Sequence, residues 1–568
     1  LGSAPSKDLL ADFQELLGGM KNLVMELTVD SKTAALMAQE GLGDGAIRLL
    51  KIASDNSPRD PQVSFVVDIL WTCLDAYLGQ VPEAGVGGGG LASPFSAVEE
   101  PITLANLTSV RIMDFEMAVR VLLNVFLMLL HQGYRMADKE CRNEVLVCMT
   151  YLAAFPAAIP AFFSTNALNV LVTYTNVCEM GDQPRVWPFY TQPIAKLRNY
   201  GSIHDIDLQL KRSMWLAIAD VLATDDVDAL LCVASSPILD NLMGYLEYDS
   251  LEPQAIGSPS RAPSQAQSSQ VAGSQSAASS PGRFNGNQAG DLAEGSHLSS
   301  VQQQQLLQQS IPGYHFLRQL PSNQLLELQV QAAAFLAEVA PKMLGEFLRV
   351  QGPVRFLDIA HKYSKSQVPE HKALVYQCLL LLNRTLMLSQ EVRSIMEQEN
   401  AIDTFLTQFE FSDEEDTRTL VARLISILCS GSNVVCQSQL RDQNGISLMV
   451  KVLAQYADKR RTQVGRKAGL VLKAVNEPED GAGGAVEEAL GGTISIMAVA
   501  IIDCLARAVV GNKKSEVMLA TTEGIDALLN LLEVSQMLQR VQVLRLLSDL
   551  LENTKMLTFL HAWRSPKT

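Results

Sequence analysis

Much of what enzyme chemistry is built on is absent from this sequence. Its nine cysteines contain no Cys-x-x-Cys pair and its seven histidines do not cluster with them. Zinc and disulfide frameworks are therefore not expected, and a reducing compartment is. No Gly-x-x-x-x-Gly-Lys-Ser/Thr phosphate loop occurs: Gly511-Asn512-Lys513-Lys514-Ser515 lacks the leading glycine and the spacing that wraps amides around a phosphate. There is no Gly-x-Ser-x-Gly elbow, no His-Glu-x-x-His pair and no glycine-rich dinucleotide turn. His361 and His371 suit helix ends or polar faces better than a general base. Positive charge is also short, with Lys+Arg 45 against Asp+Glu 61 and a net charge of −16. A chain so acidic makes a poor nucleic-acid binder. Alternating strand runs closed by hairpin dipeptides are missing too. The expectation is a non-enzyme that takes no cofactor, no metal and no nucleic acid.

What is present is apolar helix. Of 568 residues, 48% are hydrophobic, ample for a large core and too many for a wholly disordered chain. A unit recurs in which a small or turn residue opens a short helix patterned Ile-x-x-Leu/Phe-Leu. It stands at Gly45-Ala46-Ile47, Gly352-Pro353-Val354, Asn400-Ala401-Ile402, Gly445-Ile446 and Glu523-Gly524-Ile525. Aligned on the Ile/Val, the steps from Val354 to Ile402, Ile446 and Ile525 are 48, 44 and 79 residues. The last is about twice the armadillo/HEAT period of roughly 40–47. A longer apolar helix follows each copy, as in Thr417–Ser430 and Met537–Leu551. In the latter, Leu538, Val541, Leu544, Arg545 and Leu547-Ser548 supply the rhythm expected of a buried face. The fold class that follows is all-α: an armadillo/HEAT-like right-handed α-solenoid with a long disordered insert.

Three stretches interrupt the pattern. Residues 82–101 hold four consecutive glycines, and 476–492 hold Pro478 and Gly481-Ala482-Gly483-Gly484. The third, 252–310, is rich in Ser, Gln, Ala and Gly and too poor in apolar surface to order itself. It divides repeats in 1–251 from repeats in 311–568. The uncharged run from Val145 to Phe163 is long enough to span a bilayer. Pro156 and Pro160 break it, however, so two short buried helices around a bend are expected, with no membrane partner. The chain opens at Leu1 without a Met or a visible signal peptide, which suggests a piece of a longer protein.

One candidate site remains. If 459–473 is helical, Lys459, Arg460, Arg466, Lys467 and Lys473 fall within an arc of about 140°. On so acidic a chain they form a local basic patch for an acidic partner surface, such as a tubulin tail. Acidic clusters at Asp225-Asp226 and Asp413–Asp416 precede apolar helices and complement their dipoles. The four tryptophans, Trp71, Trp187, Trp215 and Trp563, are isolated, without the repeated Trp/Asn ladder of armadillo cargo receptors.

Several ordered blocks resemble the cilia- and flagella-associated protein 69 family. They are Ile69-Leu70-Trp71, Arg142-Asn143-Glu144-Val145-Leu146-Val147, Leu197-Arg198-Asn199-Tyr200 and Asp207-Leu208-Gln209-Leu210-Lys211-Arg212. Further on come Glu327-Leu328-Gln329-Val330-Gln331-Ala332, Glu523-Gly524-Ile525, Asn553-Thr554-Lys555 and His561-Ala562-Trp563. The Gly-rich loop, the Ser/Gln-rich insert and the Gly481–Gly484 break depart from the family pattern. The resemblance implies a structural scaffold of the axonemal central apparatus, in the cytoplasm and cytoskeleton of cilia and flagella. It would assemble with other central-apparatus projection proteins, and with the microtubule surface, into a hetero-oligomeric projection that supports motility. The competing expectation is a cytosolic adaptor or transport receptor that binds peptide segments of partners transiently.

Overall fold

The computed structural model describes residues 15, 16, 18–20, 22–24, 26, 27, 33, 37, 40–56, 61–78, 113–132, 136–176, 205–248, 320–476 and 495–563, with the backbone alone along 464–476. The loop expected at 82–101, the insert at 252–310, the 477–492 part of the third break, Cys178, Trp187 and the Leu197–Tyr200 block lie outside them.

Every regular element among the described residues is helical. Four helices lead: α1 (Leu42–Asn56), α2 (Pro61–Leu78), α3 (Phe115–Gln132) and α4 (Met136–Ala153). Triplets follow: α5 (Ile159–Ser164), α6 (Ala167–Asn176) and α7 (Asp205–Ala223), then α8 (Val227–Ala234), α9 (Ile238–Glu247) and α10 (Ser322–Val339). The next are α11 (Leu344–Arg349), α12 (Gly352–Lys362) and α13 (Pro369–Leu388), then α14 (Gln390–Gln398), α15 (Ala401–Phe411) and α16 (Glu415–Leu428). The last are α17 (Val434–Asp442), α18 (Gly445–Asn476) and α19 (Ile496–Val509), then α20 (Lys513–Thr521), α21 (Gly524–Val534) and α22 (Met537–Leu551), closed by α23 (Met556–Ala562).

Each part of the triplet has a local cause. Short polar side chains open the first helices: Asp226 caps α8, Ser389 α14, Asn433 α17 and Asn512 α20, each accepting from amides that the helix leaves free. A single left-handed residue then turns the first helix into the second, at Asn166, Gln351, Asn400, Asn444 and Glu523. The glycines that mark the repeat sit one place later and have a different role. A Cβ on Gly352 would stand 2.0 Å from the Phe347 ring, one on Gly445 2.4 Å from Leu440, and one on Gly524 2.6 Å from the Leu519 carbonyl. Glycine is thus required there for close helix approach rather than for its φ. In the first copy Gly45 lies inside α1 with open space around it, so that copy does not share the joint.

Counting from the left-handed residues corrects two expectations. Pro353, which is buried, holds the position that Ile402, Ile446 and Ile525 hold, and Val354 is half-buried. The 79-residue step is one repeat and not two. It contains α18, which runs for 32 residues, then residues 477–494, then α19 and α20.

The third helices make the continuous layer. In order, α2, α4, α7, α10, α13, α16, α19 and α22 each pack against the next. Of the helices flanking the 252–310 insert, α10 belongs to this layer, and α7 and α9 both pack on it. Gln329 of α10 is buried and donates to the carbonyls of Tyr245 (2.9 Å) and Tyr248 (2.8 Å) at the end of α9. Other buried glutamines repeat the device: Gln408 donates to Ala360 O, Gln437 to Arg507 O and Gln539 to Ser495 O. The bonds to Tyr245, Ala360 and Arg507 satisfy last-turn carbonyls that the helix leaves without an amide, whereas Ser495 opens α19 and its carbonyl also accepts from Val499 N.

The uncharged run at 145–163 becomes the end of α4, a 3-10 turn at Pro156–Ala158 and α5, as the prolines implied. The two helices meet at 107°, and no single helix among the described residues is long and apolar enough to cross a membrane. The expected buried face of α22 is corrected. Its buried side carries Gln539, Val543, Leu546, Leu547 and Leu550, while Leu538, Val541 and Leu544 are about half exposed.

Candidate partner-binding face

Two ion pairs and a side-chain hydrogen bond link neighbours within the third-helix layer. Arg212 of α7 bonds Glu327 of α10 at 2.7 Å, and Arg384 of α13 reaches back to Glu338 of α10 at 2.7 Å. Further along, Ser426 of α16 donates to Asp503 of α19 at 2.6 Å. Partly exposed pairs like these contribute little stability each, on the order of 0–1 kcal/mol. Their effect is to fix neighbouring helices in register and present a polar face. Asp220 of α7 has no hydrogen-bond or ion-pair partner among the described residues, and burial pushes its carboxyl up to about 6. Leu216, one turn earlier, is 58% exposed.

The candidate basic helix is helical throughout 459–473, as part of α18. Lys459 is exposed and Arg460 half-buried, whereas the side chains of Arg466, Lys467 and Lys473 lie outside the described residues. The best anchored cation of this stretch is Arg461, which the spacing argument left out. It reaches Asp458 at 3.3 Å on its own helix, and Asn530 (3.4 Å) and Glu533 (3.5 Å) on α21. Arg461 therefore holds α18 to α21. Its partners lie some 70 residues away, so no local sequence pattern could have separated it from its neighbours.

Nucleophiles and ligands are not gathered anywhere among the described residues. No group of His, Cys, Asp and Glu is placed to hold a metal ion. Of the described thiols only Cys232 is half-buried; the others are buried. Burial pushes Cys73, Cys141 and Cys429 up to about 12 and Cys436 to about 11, which removes the reactive thiolate. His361 shares a hydrogen bond with Thr404, and His371 with Ser366 while stacked on Tyr363. Asp226 caps α8, and Glu415 and Asp416 open α16 in their expected dipole-complementing places. Trp215 is buried and stacks on Phe335, far from any exposed ladder.

Helix triplets with this joint, stacked on a shared third-helix layer, define an armadillo-type solenoid, the architecture of protein-interaction scaffolds. Residues 485–568 match the family model described as "Cilia- and flagella-associated protein 69, ARM repeat". The C-terminal segment of the chain thus matches the armadillo repeat of the cilia- and flagella-associated protein 69 family, in agreement there with the resemblance read from the sequence. A search of curated proteins found no match. Among solved structures the chain is similar to an engineered protein from the Northeast Structural Genomics Consortium, at 13% identity and TM-score 0.37, covering 93% of this chain and 98% of that one. A structure concerning a phosphorylation switch between cadherin and beta-catenin follows at 10% identity and TM-score 0.37, covering 86% of this chain and 56% of that one. A Kap121p mutant gives 11% identity and TM-score 0.30, covering 94% of this chain and 43% of that one. The chain thus spans about half the length of the last two. At such TM-scores the superpositions are loose and none bears on function.

Proposed function

We propose that this chain is a non-enzymatic structural scaffold of the axonemal central apparatus, helping to assemble a projection on a central microtubule and so supporting ciliary and flagellar motility. The observation that carries this reading is the family match at residues 485–568, in a chain whose third helices run as one unbroken layer. A long repetitive surface suits permanent attachment to several proteins at once. Its partners on this reading are other projection proteins and the microtubule surface, with Lys459, Arg460, Arg466, Lys467 and Lys473 facing acidic tubulin tails.

The test is extraction of axonemes from ciliated cells, first with detergent and then with salt. Retention through detergent is expected, together with loss of the protein from axonemes that lack central microtubules. Reversing Lys459, Arg460, Arg466 and Lys467 to Glu is expected to lower the salt needed for release. Release by detergent alone would overturn the scaffold and leave the transient adaptor in its place.

A further inference from the structure

The stretch Gly511-Asn512-Lys513-Lys514-Ser515 fails as a phosphate loop, but its first four residues form one wall of a groove of about 420 Å3 between α17 and α20. On the other wall Val434, Gln437, Ser438 and Arg441 stand at helical spacing, one face of two turns of α17 and about 10 Å long. The walls are joined by a hydrogen bond of 3.2 Å from Asn512 Nδ2 to Gln437 Oε1. The lining carries three cations: Lys513 and Lys514, both exposed, and Arg441, half-buried. No carboxylate is among the described residues that line it, although the chain has a net charge of −16. Lys513 and Lys514 pair with no carboxylate among the described residues. Arg441 reaches its sequence neighbour Asp442 at 2.9 Å, an exposed pair that costs little to exchange.

The two lysines also stand where a helix disfavours them. The first turn carries partial positive charge, so a cation there opposes the dipole. The other capped first helices avoid the conflict: α8 begins Val227-Asp228, α14 Gln390-Glu391 and α17 Val434-Val435. The first-turn carboxylate of α20 is Glu516, which is buried and already bonded to Gly511 N (2.9 Å) and Asn553 Nδ2 (2.7 Å). A local rule broken without compensation inside the chain points to a counter-charge brought from outside.

Size and charge select the ligand. A bilayer does not enter a groove between two helices, and three cations on so acidic a chain are few for a phosphate backbone. A length of about 10 Å takes about three residues of extended peptide. Carboxylates on such a peptide meet the three cations, and an adjoining apolar side chain meets Val434, which is 64% exposed. The chain has an acidic stretch of its own, Glu477 to Glu488, with five carboxylates and no Lys or Arg. It leads into the opposite end of α19 from the groove, about 21 Å away along that helix. The seven residues from Glu488 to Ser495 cover that distance only when almost fully drawn out, an ordering that costs entropy. We propose that the α17–α20 groove binds a short, extended acidic segment of a partner protein. The groove is separate from the Lys459–Lys473 patch, and it rests on the scaffold reading only in taking a protein as its ligand.

The test titrates the full chain into a fluorescent peptide of four Glu and one Leu flanked by Gly and Ser. The control is the same peptide with Gln in place of Glu. The Glu peptide is expected to bind at least about tenfold more tightly, with affinity falling as salt rises. Lys513→Gln with Lys514→Gln should weaken it about tenfold or more while the melting midpoint holds or rises, because charges opposed to the dipole are removed. Unfolding cannot produce that pairing of results. Lys459→Gln with Arg460→Gln should leave the binding unchanged. Equal binding of both peptides, or of neither, overturns the proposal. So does binding that is lost with Lys459 and Arg460 and kept without Lys513 and Lys514. Binding that appears only when Glu477→Gln, Glu479→Gln, Asp480→Asn, Glu487→Gln and Glu488→Gln are combined overturns it too, since the groove is then filled from within. Axonemal extraction failing while the Glu peptide binds would remove the cilium and leave this groove standing.

Discussion

The triplets α14–α16 and α17–α19 are neighbours built to one plan, yet one step between their left-handed residues is 44 residues and the next is 79, from Asn400 to Asn444 to Glu523. The difference lies in a single joint. Between first and second helix both triplets spend one left-handed residue, and the next residue, Ala401 or Gly445, is buried against the first helix or the preceding triplet. Between second and third helix α14–α16 uses only Ser412, Asp413 and Glu414, whereas α17–α19 holds the extra length of α18 and residues 477–494. The residues outside the description at 177–204 and 249–319 also fall between a second and a third helix. The lesson is mechanical. The first joint is fixed by close packing, and the second only has to deliver a third helix to a layer that holds it from both sides.

The largest expected effect comes from loading the tight joint. Gly524→Val drives a branched side chain into the Leu519 carbonyl, 2.6 Å from the would-be Cβ. It should cost on the order of 3 kcal/mol in urea unfolding. Three residues, Gly-Ser-Gly, inserted between Asn444 and Gly445 should cost at least as much. The same insertion between Ser412 and Asp413 should cost less than about 1 kcal/mol, since a longer surface loop adds only closure entropy. Equal costs at the two joints would erase the distinction.

A middle-sized effect tests the layer itself. Asp220 has a folded-state pKa near 6, above its unfolded value of about 3.9, so the folded state binds its proton more tightly. Its ionisation therefore opposes folding, not at all below pH ~4 and fully above pH ~6. Asp220→Asn should raise stability by on the order of 2 kcal/mol at pH 8, and the advantage should vanish by pH ~4. A melting curve measured at both values checks the sign.

The smallest effect compares the left-handed residues directly. Glu523 at φ 61° carries the steric cost of that conformation, which glycine escapes. Glu523→Gly should therefore gain up to about 1 kcal/mol. Asn400, at φ 51°, is a residue type that tolerates this region, so Asn400→Gly should be close to neutral. A matched pair of thermal melts separates them.

The all-helical class and the second-helix motif were legible because the Ile-x-x-Leu/Phe-Leu pattern and the close-packed glycines are local. The register of Val354 was misread because Gly352 and Pro353 shift the apolar pattern by one place without changing its period. Length alone turned 79 residues into two repeats, since nothing in the sequence distinguishes a long second helix from a second unit. On α22, apolar residues occupy both faces, and periodicity cannot say which of two such faces meets the core. The basic arc of α18 was legible as charge at helical spacing. Which cation is tied down was not, because the carboxylate of Glu533 arrives from another helix.

Gln329 gives the solenoid one property that covalent sequence would not suggest. What joins α9 to α10 is packed surface and a buried amide spanning two carbonyls, while residues 248–321 separate the two helices in sequence. The molecule can therefore be treated as two pieces that recognise each other. A chain cut once within 252–310, or made as separate halves, retains the complementary edges needed to reassemble. A reporter split at that point would read out the stacking of the solenoid in living cells.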